Sequence, residues 1–204
     1  MSIAYTRYQQ LKLSLSNSYQ THRFYILYDK ILRKAVIGRG ARVMQRVDIQ
    51  GPGRVVIGEN VRFGYPMSPF FRRHRITIIT KFPGSEVIIG DDCTIGNNNK
   101  FVVVKKIVLG RKCKTGHNDQ FYDSDLHSVD KDLRHRSGDL EGFQGDIFLA
   151  DNVMVGSDVL LGPHITVGQN CVIGKGAVLK NRVCEENMII VGNPARPVSK
   201  ITNG

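Results

Sequence analysis

A six-residue repeat is the feature of this chain that most restricts its fold. From residue 149 the sequence reads LADNVM, VGSDVL, LGPHIT, VGQNCV, IGKGAV and LKNRVC, so an aliphatic residue opens every hexad. The fifth place of each hexad is also apolar, and four of the six hexads carry glycine second. A period of six fits neither an amphipathic helix nor sustained strand alternation. It predicts short strands joined by tight corners, coiled into a parallel β-helix.

The stacking register follows if three hexads make one coil. Residues 18 apart then lie on neighbouring strands, about 4.8 Å from one another. Three aliphatic pairs obey this spacing: Leu149 with Val167, Val155 with Ile173, and Leu161 with Leu179. Broken hexads such as IGRGAR from residue 37 and IGDDCT from residue 89 extend the pattern upstream. We therefore predict a β-helix over residues 36–184, interrupted by protruding loops at residues 65–75 and 117–146.

The two ends of the chain lie outside the repeat. Within residues 1–35, the segment QTHRFYILYDKILRK from residue 20 has apolar residues at helical spacing and predicts a helical extension. We expect this helix to cap the open end of the solenoid. A basic amphipathic helix resting on an anionic membrane surface is the alternative. Residues 185–204 are predicted to form a C-terminal strand and tail.

Charge and composition restrict the partners. No run of about 18 apolar residues and no signal-peptide pattern is present, so we expect a cytoplasmic protein, with the inner face of the membrane as an open alternative. The formal charge of +11 predicts an anionic partner. Nucleic acid is not expected, because no recognised nucleic-acid-binding motif accompanies the charge. The four cysteines lack CxxC spacing, so neither a metal site nor a disulfide framework is expected.

The hexads and the segment VGNPARPV at residues 191–198 resemble the hexapeptide-repeat acyltransferases, in particular the sugar O-acetyltransferase branch that includes maltose and galactoside acetyltransferases. This resemblance implies an all-β fold built on a left-handed β-helix, a homotrimer, and acetyl-CoA as co-substrate. It also implies transfer of an acetyl group to a sugar hydroxyl, which we expect to belong to a bacterial surface polysaccharide or its precursor.

The segment DSDLHS at residues 123–128 resembles the segment that carries the family's catalytic histidine. The resemblance makes His127 the general base, a task suited to a neutral imidazole at physiological pH. Asp125 is the predicted carboxylate that orients the ring, and Asp123 is an alternative. His117, in the segment TGHND, is the rival histidine. A long loop inside a compact fold is usually functional or disordered, which agrees with a site in this segment.

The remaining site residues are carried over from the family pattern. Ser157 is expected where the pantetheine arm lies close to the coil. Lys175, Lys180 and Arg196 are expected near the CoA phosphates, where cations form charge-assisted contacts. The basic group at Lys180 is displaced by one place from the family pattern. Asn98 is a candidate acceptor-binding residue, although asparagine is also a routine turn residue at such corners.

Two other functions remain open at this point. N-acetylation of an amino sugar nucleotide needs a base too and shares the same motifs. A non-catalytic β-helix scaffold is the alternative of a different class, and the DSDLHS loop argues against it. The loop contains no cysteine, so direct transfer is expected rather than an acyl-cysteine intermediate.

Overall fold

The computed structural model describes residues 3–32, 34–128, 130–133 and 144–202. Helix α1 spans Ile3–Phe24 and continues into a π-helical segment, Tyr25–Ile31. After this segment, the described chain contains 21 short strands in three sheets, which are the faces of a triangular prism. Each complete turn of the chain around the prism contributes one strand to each sheet.

The strands of each sheet stack in coil order. Sheet A contains β1 (Ala35–Ile37), β4 (Arg54–Ile57), β7 (Glu86–Ile89), β10 (Lys106–Leu109), β13 (Ile147–Leu149), β16 (Ile165–Val167) and β19 (Arg182–Cys184). Sheet B contains β2 (Arg42–Val43), β5 (Arg62–Phe63), β8 (Thr94–Ile95), β11 (Lys114–Thr115), β14 (Met154–Val155), β17 (Val172–Ile173), β20 (Met188–Gly192) and β21 (Ala195–Lys200). Sheet C contains β3 (Val47–Gln50), β6 (Ile76–Thr80), β9 (Lys100–Val103), β12 (Gln120–Tyr122), β15 (Leu160–Leu161) and β18 (Val178–Leu179).

The predicted left-handed β-helix is confirmed, and so is its register. Neighbouring strands are parallel, apart from β21, which folds back antiparallel on β20. The three aliphatic pairs that lie 18 residues apart are paired as predicted: Leu149 with Val167, Val155 with Ile173, and Leu161 with Leu179. Their side chains are buried inside the prism, where Phe101 and Phe121 also stack with ring centroids 4.4 Å apart. Stacked apolar columns therefore form the core.

Asparagine and aspartate residues occupy corners of the prism. Asn98, Asn118 and Asp158 occupy one column with φ between 60° and 62°, a left-handed conformation that asparagine and aspartate tolerate better than most residues. Their side chains form a ladder, because Asn98 donates to Asn118 and Asn118 donates to Asp158, both at 2.9 Å. The structure thus gives Asn98 the role of a corner residue.

The long protruding loop is shorter than the sequence pattern suggests. Strands β11 and β12 pair with β14 and β15, so the coil continues through Tyr122. The loop comprises residues 123–146 rather than 117–146, and its residues 129 and 134–143 lie outside the described part. The polar hexad TGHNDQ at residues 115–120 belongs to the prism although it lacks the aliphatic pattern. The other loop, residues 64–75, connects β5 with β6.

The N-terminal segment covers the first coil. Phe24 and Tyr28 are buried in the core. Three hydroxyl groups accept hydrogen bonds from backbone N–H groups of the first coil: Thr21 from Val43 (2.8 Å), Tyr25 from Ala41 (3.1 Å) and Tyr28 from Ile49 (3.3 Å). Polar backbone groups at the open end are thereby satisfied, as a cap requires. In the described part of the chain, no helix is long and apolar enough to cross a membrane.

Candidate active site

The two candidate histidines lie at opposite ends of β12. His117 precedes the strand, at the corner between sheets B and C, which we call the B–C corner. His127 follows it, in the loop that leaves the corner between sheets C and A, the C–A corner. Three strand residues at about 3.3 Å each separate the corners by roughly 10 Å. Within one chain, the two rings therefore mark two separate sites.

The loop that carries His127 is fixed at its base by Asp123. This buried carboxylate accepts hydrogen bonds from the backbone N–H groups of Val104 (2.7 Å) and Lys105 (2.8 Å), and the Asp123 carbonyl accepts one from Gly145 (2.8 Å). Burial raises the pKa of Asp123, and these backbone donors oppose the shift. Asp123 therefore holds the backbone, which leaves it poorly placed to orient His127.

At the exposed part of the loop, His127 is open to solvent. The preceding Leu126 has a φ of 61°, and its N–H donates to the Ser124 hydroxyl at 3.0 Å. Asp125 forms an ion pair with Lys180, which follows β18 at the C–A corner. The structure thus joins two predicted site residues, Asp125 and Lys180, to one another. Among the hydrogen bonds of the described residues, none links Asp125 to His127.

The surroundings of His117 are more ordered. Its Nδ1 lies 3.0 Å from the Ser157 hydroxyl and 3.2 Å from the Ser68 hydroxyl. The ring of Phe70 lies 5.6 Å away between centroids. Ser68 and Phe70 belong to the loop at residues 64–75, which leaves the second coil and reaches His117 in the fourth. His117 is half-buried, between this loop and the corner column.

Two buried amide side chains hold the loop at residues 64–75. Asn97 donates to the backbone carbonyl groups of three loop residues: Tyr65 (2.9 Å), Ser68 (3.2 Å) and Pro69 (2.9 Å). Gln45 donates to the His74 carbonyl and accepts from the Arg72 N–H at 2.6 Å. Both amides are completely buried. These hydrogen bonds therefore hold Ser68 in its position beside His117.

A buried polar cluster includes Thr115 and Asp119, which flank His117 in the chain. Asn99 donates to the Thr115 hydroxyl at 2.6 Å and accepts from the Asp119 N–H at 2.8 Å. The Asp119 Oδ1 accepts from the Val159 N–H at 3.0 Å, whereas Oδ2 is buried with no hydrogen-bond partner among the described residues. Burial raises the pKa of Asp119 to about 8. Asp119 is therefore largely protonated at neutral pH.

Sequence reasoning missed Ser68, Asn97 and Asp119. A signal for Asp119 exists, because it takes the fifth place of its hexad, where Val159 stands in the hexad stacked on it. A carboxylate at the fifth position of a hexad, which is apolar in most hexads, indicates a buried polar site. Ser68 has no such signal, since its contact with His117 depends on how the loop folds back over two coils.

The predicted donor residues divide between corners. Ser157 and Lys175 lie in one column of the B–C corner, 18 residues apart, and Lys175 Nζ lies 3.6 Å from Asp158. Lys180 lies at the C–A corner. Arg196 is exposed on β21 and donates to the Ala195 carbonyl at 2.9 Å. The structure brings Ser157 to His117, but one chain does not bring Ser157 or Lys175 to His127. Among the described residues, no group of three or more metal-ligating side chains is present.

Comparisons with known proteins agree with this architecture. Residues 146–181 match the family described as "Bacterial transferase hexapeptide (six repeats)". No curated protein matches the sequence. Two similar solved structures are a point mutant of AntD, an N-acyltransferase from Bacillus cereus, in complex with dTDP-4-amino-4,6-dideoxyglucose and coenzyme A, and a maltose O-acetyltransferase from Clostridium difficile 630.

The AntD mutant is 17% identical, with 86% of this chain and 90% of that chain covered and a TM-score of 0.65. The maltose O-acetyltransferase is 22% identical, with 97% and 86% covered and a TM-score of 0.54. Likeness at these identities concerns the fold. Residues 146–181 thus carry the bacterial transferase hexapeptide repeat, within a left-handed β-helix shared with solved acyltransferases.

Proposed function

We propose that this protein belongs to the hexapeptide-repeat acyltransferases and is an acetyl-CoA-dependent O-acetyltransferase. Its acceptor is a sugar hydroxyl, in a bacterial surface polysaccharide or its precursor, and His127 is the general base. The observation that carries the proposal is a solvent-open histidine on a loop that is anchored to a hexapeptide-repeat prism by the buried Asp123. The similar structures support the CoA donor and a sugar acceptor, because one is an N-acyltransferase that holds coenzyme A with an amino sugar nucleotide and the other is a maltose O-acetyltransferase.

The proposed reaction is direct transfer. The acceptor hydroxyl oxygen attacks the thioester carbonyl carbon while the His127 imidazole takes the hydroxyl proton. The C–S bond then breaks, and the CoA sulfur leaves with the proton that the imidazole returns. The products are the sugar ester and the CoA thiol. All four cysteines are buried, which agrees with a reaction that uses no acyl-cysteine.

The donor requires residues from both corners. Ser157 would flank the pantetheine arm, and Lys175, Lys180 and Arg196 would face the phosphates. Since Ser157 and Lys175 lie at the B–C corner and His127 leaves the C–A corner, a complete site draws on two copies of the chain. We therefore propose a homotrimer with sites between subunits. Light scattering should give three times 22.9 kDa; an active monomer would contradict this arrangement.

Asp125 has a conditional role in this scheme. It is paired with Lys180. A CoA phosphate that attracts Lys180 would release the Asp125 carboxylate, which could then support the imidazolium that His127 becomes during the reaction. Binding of CoA would thereby make the Asp125 carboxylate available to His127.

His117 is the second candidate for the base. The favouring observation is that two hydroxyl groups lie within 3.2 Å of its Nδ1, and that Asp119, two residues along the chain, is a buried carboxyl with a raised pKa. Perturbed titratable groups cluster at functional sites. In the primary proposal, His117 instead fixes the loop at residues 64–75 to the corner column.

The direct test is release of CoA thiol from acetyl-CoA in the presence of a panel of sugar acceptors. Acetylation that alkaline hydroxylamine removes identifies an ester and supports O-acetylation. A hydroxylamine-stable product on an amino sugar identifies an amide and favours the N-acetyltransferase alternative. Failure to bind acetyl-CoA at all would favour the scaffold.

A further inference from the structure

A cleft between helix α1 and the loop at residues 64–75 is lined by basic side chains. Its volume is about 290 Å³, and its lining includes Arg46, Arg72, Arg73, His74 and Arg75. No acidic side chain is among the described residues that line it, although Arg75 pairs with Asp48 outside the lining at 3.2 Å. All five basic side chains are exposed. The cleft therefore presents a concentrated positive charge to solvent, suited to phosphate groups.

The arginines are held in place by the backbone beneath them. Phe70 and Arg72 have φ values of 63° and 59°, a left-handed conformation that is uncommon outside glycine. The buried Gln45 stabilises it through its hydrogen bonds to the Arg72 N–H and the His74 carbonyl. The Arg72 guanidinium also donates to Asn17 of α1 at 3.1 Å. Such conformations persist where the surroundings over-determine them, often at functional sites.

An apolar stripe on α1 adjoins this cleft. Leu11, Leu15 and Tyr19 are 60%, 64% and 64% exposed. At about 100° per residue, they share the helix face opposite Asn17 and Thr21, which contact the solenoid and its loop. The apolar face of this helix therefore points away from its own protein.

Stripe and cleft form one continuous surface. Ser16 and Gln20 line the cleft and directly follow Leu15 and Tyr19 in the helix, about 100° around its axis. Lys12 is exposed between the two. Exposed apolar side chains beside cationic side chains fit the boundary between the acyl chains and the phosphate groups of an anionic bilayer.

We propose that this surface docks on an anionic phospholipid bilayer. The stripe at Leu11, Leu15 and Tyr19 enters the interfacial layer, and the arginines of the cleft bind lipid phosphates. A bilayer fits better than a second copy of the chain, because a second copy would bring an equally basic cleft against the first. Attachment would be peripheral. This surface does not include His127, and its docking does not depend on the proposed reaction.

The test is co-sedimentation of the full chain with vesicles, in the absence of acyl-CoA and acceptor. We expect binding to phosphatidylcholine vesicles that contain phosphatidylglycerol, and none to phosphatidylcholine alone. At roughly fivefold per arginine, the triple variant Arg72→Gln/Arg73→Gln/Arg75→Gln should lose about 100-fold in binding. The matched control Arg39→Gln/Arg111→Gln/Lys112→Gln removes the same charge from another corner of the prism. This control should retain most of the vesicle binding.

A second variant separates the stripe from the charge. Leu11→Ser/Leu15→Ser/Tyr19→Ser leaves the net charge unchanged and should also weaken vesicle binding, with its thermal unfolding transition preserved. The proposal is overturned if the wild-type chain does not bind anionic vesicles, or if the two basic-residue triples lose binding equally. It is also overturned if the serine variant changes the oligomeric state, or if inorganic pyrophosphate binds the cleft while vesicles do not.

Discussion

Lys180 and Asp125 form an ion pair that connects the sixth coil of the solenoid to the loop that carries His127. The sequence predicts that Lys180 contacts CoA phosphates and that Asp125 orients the base, so the pair links the two halves of the proposed site. Both side chains are partly exposed, and an exposed pair of this kind contributes little to stability. In the proposed scheme, a CoA phosphate can break the ion pair by attracting Lys180.

Replacing Lys180 and Arg196 by alanine should weaken the donor alone. We expect the KM for acetyl-CoA to rise by up to about 30-fold, because two partly exposed cations each contribute about 1 kcal/mol or less. The KM for the sugar should change little. The matched control is Lys112→Ala at the corner between sheets A and B. Equal rises in both KM values would show that these residues shape the fold instead.

Asp119 should make the stability of the fold depend on pH. Its pKa in the folded chain is about 8, above the ordinary value near 4. The folded state therefore binds the extra proton between these values, and this contribution to stability, complete below about pH 4, is lost as pH rises towards 8. Asp119→Asn keeps the Oδ1 acceptor and removes the titration. As pH rises towards 8, the thermal unfolding temperature of the variant should fall less than that of the wild type.

Asp123→Asn provides the contrast. Both carboxylate oxygens of Asp123 accept backbone N–H groups, so an amide would set N–H against N–H. We expect a loss of about 1–3 kcal/mol in the free energy of unfolding, measured by denaturant titration at neutral pH. An Asp119→Asn variant with an unchanged pH profile would contradict the assigned burial of that carboxyl.

The stacked phenylalanines should dominate the stability of the central coils. Phe101 and Phe121 are fully buried, with ring planes 9° apart. Phe121→Ala should cost about 3–5 kcal/mol in the free energy of unfolding, because the coil backbone cannot collapse into the cavity. Phe82, which is 42% exposed, is the matched control, and its replacement by alanine should cost far less. Similar losses for both variants would contradict this packing.

The repeat predicts the prism well because interior columns accept mainly aliphatic side chains. The pairing of Leu149 with Val167 follows from an 18-residue spacing alone. The hexad at Thr115 does not show the aliphatic pattern, because its inward-facing positions hold the buried polar cluster. The repeat therefore does not predict this part of the prism.

The contacts of the site were less predictable. The ion pair of Lys180 with Asp125 and the approach of Ser68 to His117 depend on how two loops fold back over the prism. Neither is encoded in a local spacing. The roles of Ser157, Lys175, Arg196 and Asn98 in binding remain predictions.

The measurement that tests the central claim most directly is the turnover of His127→Ala beside that of His117→Ala, with acetyl-CoA and the same acceptor. Removing a general base should lower turnover by about 10²- to 10⁴-fold, so we expect this loss in His127→Ala. Binding of acetyl-CoA should survive, because the imidazole makes no phosphate contact, and His117→Ala should keep most of its turnover. If His117→Ala is the inactive variant and His127→Ala turns over normally, the base lies at the B–C corner and the account is wrong.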